Sequence, residues 1–161
     1  MKYQQNIMDN NIMDNEEVFW QPEEGTPYES FGAECESGWA KLYQPLIDYV
    51  NAYNKLHSPG SSIEIHQIKE KFGGLRFYWA ADNVSTDTID EFRKMVEDAE
   101  AQSWTVCEEC GSEEEVGTLH IGWFYTRCRE CARKIVEGIG EDGKWKIGGK
   151  IYTMDKDGNI K

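Results

Sequence analysis

Four of the five cysteines fall into two pairs, Cys107-Glu-Glu-Cys110 and Cys128-Arg-Glu-Cys131, with seventeen residues between them. A C-x-x-C turn offers two thiolates from one small knuckle, and a linker of this length can form a hairpin that brings the second knuckle against the first. The spacing therefore predicts a tetrahedral Zn2+ site with Cys107, Cys110, Cys128 and Cys131 as ligands. Four thiolates leave no position for water or substrate, so the expected role of the metal is structural. A disulfide pair and a redox dithiol are the competing readings. A cytosolic setting disfavours the first and two matched pairs disfavour the second.

Other chemistry-bearing residues are sparser. Arg127, Arg129, Arg133 and Lys134 form the densest basic cluster, and their expected work is to offset the charge of -2 that four thiolates give a zinc ion. Lys69, Lys71 and Arg76 interleave with Tyr78, a pattern that also suits a nucleotide or nucleic acid, as do Arg127, Arg129 and Arg133. Cys35 lies between Glu34 and Glu36. Flanking carboxylates raise a thiol's pKa, so it is expected to pack and not to attack. His66-Gln-Ile and His120-Ile-Gly lack the glutamate of a zinc deaminase, and both histidines are expected to be structural. No phosphate-binding loop, nucleophile elbow or dinucleotide fingerprint is present. Asp155, Asp157 and Asn159 start like a calcium loop but lack its glycine and its terminal glutamate, which predicts a plain turn.

The elements that must position these residues follow from periodicity. Trp39, Leu42, Tyr43, Leu46, Ile47, Val50, Tyr53 and Leu56 recur at three and four, marking a buried helical stripe, with a kink or a fresh start expected at Pro45. Residues 63–71 and 75–80 flank Phe72-Gly73-Gly74 as a hairpin, with Leu75, Phe77 and Trp79 inward and Arg76 and Tyr78 outward, beside Lys69 and Lys71. A second amphipathic helix follows, with Thr88 and Glu91 in capping-box spacing and Ile89, Phe92, Val96 and Ala99 on one side. Residues 117–126 supply the finger hairpin, Cys131 lies on a short helix ending near Gly138, and residues 144–154 form two short strands around Gly148-Gly149.

The expected fold class is α+β. Two amphipathic helices pack on a β-hairpin or small antiparallel sheet, followed by a C-terminal treble-clef-like zinc finger and preceded by a disordered acidic N-terminal arm. The expected boundaries are 1–30 for the arm, 31–104 for the body, 105–138 for the finger and 139–161 for the terminal strands. Residues 1–40 carry nine acids against Lys2 alone, a net of -8 out of -13 for the 161-residue chain. Such charge disfavours nonspecific attraction to polyphosphate or an anionic membrane. With no apolar leader and no spanning stretch, a cytoplasmic protein is expected.

Gly38-Trp39, the run Gln67-Ile-Lys-Glu-Lys-Phe-Gly-Gly-Leu-Arg-Phe-Tyr78, Cys107-x-x-Cys110-Gly111, Gly122-Trp123, Thr126 and Cys128-x-x-Cys131 together resemble a group of small, functionally unassigned proteins of bacteria and tailed phages. The resemblance covers roughly residues 32–135 and implies membership without a mechanism. The finger alone is similar in spacing to the DksA/TraR regulators of RNA polymerase, but the chain departs from them in lacking a long coiled-coil hairpin before Cys107. The functional expectation is a non-enzymatic, zinc-stabilised cytoplasmic protein that modulates a protein partner, as a phage accessory factor or an inhibitor. The alternative is a nucleotide- or nucleic-acid-binding protein using the basic-aromatic hairpin or the finger.

Overall fold

The structure, a computed structural model, describes residues 3–5, 20–22 and 25–161. Strands β1 (Tyr3–Gln5) and β2 (Trp20–Pro22) form an antiparallel ribbon with Gln4 opposite Gln21. The rest of the expected arm up to residue 24 lies outside the described residues. From Gly25 the chain belongs to the body. A capping box opens helix α1 (Pro27–Phe31): Thr26 Oγ1 accepts from the Glu29 amide, and the Glu29 carboxylate accepts from the Thr26 amide. The same Thr26 hydroxyl donates to the Ile65 carbonyl at 2.7 Å, so residues 25–30 are fastened to the sheet and the expected boundary at 30 lies too late.

Strand β3 (Ala33–Glu34) runs parallel to β4 (Ser62–Lys71), which pairs antiparallel with β5 (Gly74–Asp82). The β4–β5 turn consists of Phe72 and Gly73, both at positive φ (54° and 91°), the geometry that matches the twist of a two-residue hairpin. A bulge at His66 lets Ile65 and Ile68, three residues apart, both point inward. Helices α2 (Ala40–His57) and α3 (Thr86–Gln102) cover this face. Leu42, Leu46, Ile47 and Val50 of α2 meet Phe92, Val96 and Ala99 of α3 over Ile63, Ile68, Leu75 and Phe77. Trp79 is half-buried, with its ring edge-to-face on Phe92 at 4.8 Å.

Three expectations need correction. Of the two outcomes expected at Pro45, a kink or a fresh start, the fresh start does not occur: helix α2 is continuous through it, because the proline's missing donor deprives only the Lys41 carbonyl, near the helix start, while the buried stripe continues across it. Leu56 is 79% exposed, past the end of that stripe. Helix α3 begins at Thr86 with Ser85 as its cap, the Ser85 hydroxyl accepting from the Thr88 amide. Glu91, expected in a capping box, instead accepts from the Tyr49 hydroxyl at 3.1 Å and ties α3 to α2.

The second half is built on a four-stranded antiparallel sheet in the order β7-β6-β8-β9. Strands β6 (Val116–Ile121) and β7 (Trp123–Cys128) form the finger hairpin around Gly122. Helix α4 (Arg129–Ile139) follows and ends at Gly140 in the left-handed conformation. Strands β8 (Gly143–Ile147) and β9 (Lys150–Met154) join the finger's own sheet through β6, so residues 139–161 extend the finger. One face of the sheet packs Leu119, Ile121, Trp145 and Met154 against Ala132 and Val136 of α4. Among the described residues no helix is long and apolar enough to cross a membrane.

Candidate metal centre

The knuckle at Cys107 is a tight turn. Its Gly111 amide donates to the Cys107 carbonyl at 2.9 Å, and the Cys107 amide donates to the Ser112 carbonyl at 2.8 Å. Gly111 takes φ +78°, which glycine adopts without strain. The second knuckle is the start of α4, where Cys128 is the helix cap and its sulfur accepts from the Cys131 amide at 3.5 Å. Across this frame the Sγ atoms of Cys107, Cys110, Cys128 and Cys131 all lie within 4.8 Å of one another. Cys110 and Cys128 are 3.7 Å apart. A metal–sulfur bond of about 2.3 Å puts the corners of a tetrahedron about 3.8 Å apart, so the four sulfurs fit one metal ion.

Burial raises the thiol pKa of Cys128 and of Cys131, whereas the hydrogen bond from the Ser112 backbone lowers that of Cys110. A divalent cation among the sulfurs offsets the cost of holding them ionised. The elements follow the treble-clef order of knuckle, hairpin and ligand-bearing helix.

The centre is built into the body. A Cβ on Gly38 would stand 2.3 Å from the Cys107 and Glu108 carbonyl oxygens, so only glycine lets the start of α2 approach the knuckle this closely. Trp39, fully buried, donates its indole N–H to the Val106 carbonyl at 2.9 Å. The Lys41 ammonium reaches the Gly111 carbonyl and Glu113. Glu108, between the first two cysteines, is buried. It accepts from the Glu36 amide at 3.1 Å and pairs with Arg127 at 2.8 Å. At the other side the Thr126 hydroxyl donates to the Gly73 carbonyl at 2.5 Å, and the Trp123 indole donates to Glu70 at 3.1 Å. Gly74 packs so closely on Trp104 that a Cβ would meet the ring at 2.6 Å.

The candidate binding residues separate. Lys69 stands opposite Arg76 in the β4–β5 register, Gln67 opposite Tyr78, and Lys71 opposite Gly74, so the hairpin set shares the outward face as expected. Arg127 does not join an exposed finger set. It is buried with Glu108, and its Nε lies 3.6 Å from Glu109, without a hydrogen bond. Arg129 faces Glu115 at 3.8 Å, and Arg133 is flanked by Glu130 and Glu137 on α4 at 3.2 and 3.6 Å. The helix carrying them packs on the sheet face opposite to that of Thr126, which meets the hairpin tip. The two basic sets therefore form no common site.

Cys35 packs against the body core, and its thiol is pushed up to about 12 by burial and then by the charges of Glu108, Glu36 and Glu70. His66 is exposed at the bulge beside Glu64, at 3.2 Å. His120 stacks on Phe124 at 4.4 Å. Asp155 Oδ1 accepts from the amides of Asp157 and Asn159, closing the plain turn expected of this segment.

Two features have no local sequence pattern: the Glu108–Arg127 pair and an open cleft of about 580 Å³ between Phe72, Trp104 and the outer face of the finger sheet. The available signal was compositional: β6, β7, β8 and β9 contain no acidic residue in a chain with 30 of them. No family model matches the chain, and no curated protein or solved structure matches it.

Proposed function

We propose that the chain is a zinc-stabilised cytoplasmic binding protein whose metal is structural and which modulates a protein partner. The observation that carries this reading is the four-sulfur cluster, whose donors satisfy a tetrahedral ion and whose knuckle is fitted against Gly38 and Trp39. Thiolate ligands select zinc among abundant divalent ions, and a saturated ion offers no open position for Lewis-acid chemistry. Its work is to hold finger and body in one arrangement.

The acidic outer side of α3 supports a protein partner with a basic surface. Asp87, Asp90, Glu91, Glu97 and Asp98 are exposed there, while Arg93 and Lys94 on the same helix are engaged by Asp90 and Asp98. A phage accessory or inhibitor role suits such a small acidic binder. The test is elemental analysis of purified protein together with binding by the Glu97→Gln, Asp98→Asn double variant. One zinc per chain, with partner capture that weakens in the variant and with salt, supports the reading. Zinc-free folded protein overturns it, as does capture indifferent to both charge and salt.

A further inference from the structure

On the outer face of the finger sheet, basic and aromatic groups gather on strands that carry no acidic residue. Thr118 and His120 of β6, Phe124 and Thr126 of β7, and Lys144 and Lys146 of β8 alternate with the core residues Leu119, Tyr125 and Trp145, so all six point away from α4. Lys144, Lys146 and, on β9, Lys150 have no ion pair among the described residues, whereas the arginines of the finger are all matched to carboxylates.

The hairpin tip closes one end of this face. Phe72 is 58% exposed and sets its edge against Phe124 at 6.5 Å, with the Lys71 ammonium 5.9 Å from its ring centre. Trp104 is 39% exposed and forms the facing wall of the cleft, whose floor includes Thr118 and Lys146. Rings left open to solvent beside unpaired lysines are costly for a surface with no ligand and suited to one whose ligand alternates flat π-faces with anionic groups.

We propose that this face, from the Phe72–Trp104 cleft across Phe124 to Lys144 and Lys146, binds single-stranded nucleic acid. Bases stack on Phe72 and Trp104, with the His120–Phe124 stack as the neighbouring apolar wall, and phosphates meet Lys71, Lys144 and Lys146. The net charge of -13 opposes long-range attraction, so affinity comes from contact at this face. The site rests on the reading of the chain as a binding protein but not on its protein partner, and of the body hairpin's outward set it takes only Lys71, at the tip.

The test is a fluorescence-anisotropy titration of the full, zinc-loaded chain with a labelled oligothymidylate at physiological salt, beside three variants checked for zinc content and circular dichroism. Saturable binding by the parent is expected. The variant Phe72→Ala, which changes an exposed side chain, should weaken it roughly 5- to 150-fold, and Lys144→Glu with Lys146→Glu should remove it. Lys69→Ala should leave it within about twofold, since Lys69 lies on β4 and does not line the cleft. Absence of saturable binding overturns the proposal, as does binding lost only in the Lys69 variant. Equal competition by poly-glutamate also overturns it, because that would mark a site for acidic peptide. The zinc measurement is independent, so failure here leaves the structural metal standing.

Discussion

The body and the finger both hide apolar surface, but with different means. In the body, Trp39, Leu46, Ile63, Ile68, Leu75 and Phe92 are almost completely buried between two long helices and a three-stranded sheet. In the finger, Leu119, Ile121, Ala132, Val136, Trp145 and Met154 make a much smaller core under one short helix, and Cys107, Cys128 and Cys131 form a separate buried cluster beside it. A core of that size is marginal without a staple. A metal held by the four thiols would therefore stabilise chiefly the finger, while Gly38, Trp39 and Glu108 would pass its effect to the body.

The largest break in that comparison comes from removing the metal. Chelation, or Cys128→Ser, should unfold the finger, since structural zinc contributes about 10–16 kcal/mol in small fingers at neutral pH. Far-UV circular dichroism should keep the α2 and α3 signal, and a global collapse to random coil would show that the body has no independent stability. Next in size is the buried pair. Arg127→Met leaves Glu108 buried without its cation, and urea denaturation should give a loss of about 3–5 kcal/mol. The double change with Glu108→Gln should recover part of that loss, because no lone charge then remains.

A smaller effect sharpens the seam itself. Gly38→Ala forces a Cβ against the knuckle's carbonyls and should cost about 1–3 kcal/mol, with weaker zinc retention in a competition assay against a chromogenic chelator. Gly60→Ala, whose Cβ would meet nothing closer than 3.9 Å, is the control and should leave zinc retention unchanged. The smallest effect is at Cys35. With its thiol pushed up to about 12, the native protein holds that proton more tightly than the unfolded chain, whose thiol titrates near about 8.5. The resulting stability is present below that pH and is lost as pH rises toward about 12. Alkylation of Cys35 at pH near 8 should be much slower in native than in denatured protein, and equal rates would contradict its burial.

Much of this was legible in the chain because it is local. Cysteine spacing brought the four candidate thiols together, and alternation placed Leu75 and Phe77 inward, since both signals rest on the geometry of a few consecutive residues. Where two local signals compete, tertiary context decides. Ser85 caps α3 while Glu91, a good capping partner for Thr88, is drawn away to Tyr49. The seam was illegible because its contacts span long stretches of chain, from Gly38 to Cys107 and from Gly73 to Thr126. Periodicity could place Arg127 on a strand, but not show that Glu108 lies across from it.

Hydrogen exchange measured by mass spectrometry on the full chain, with and without complete metal removal, tests the central claim most directly. Residues 116–139 should lose protection when the metal is removed. Residues 36–41 at the seam should loosen with them, while β4 and β5 stay protected. Unchanged protection across residues 116–139 in verified metal-free protein would contradict it, because the finger would then be holding itself together without its four thiolates bound.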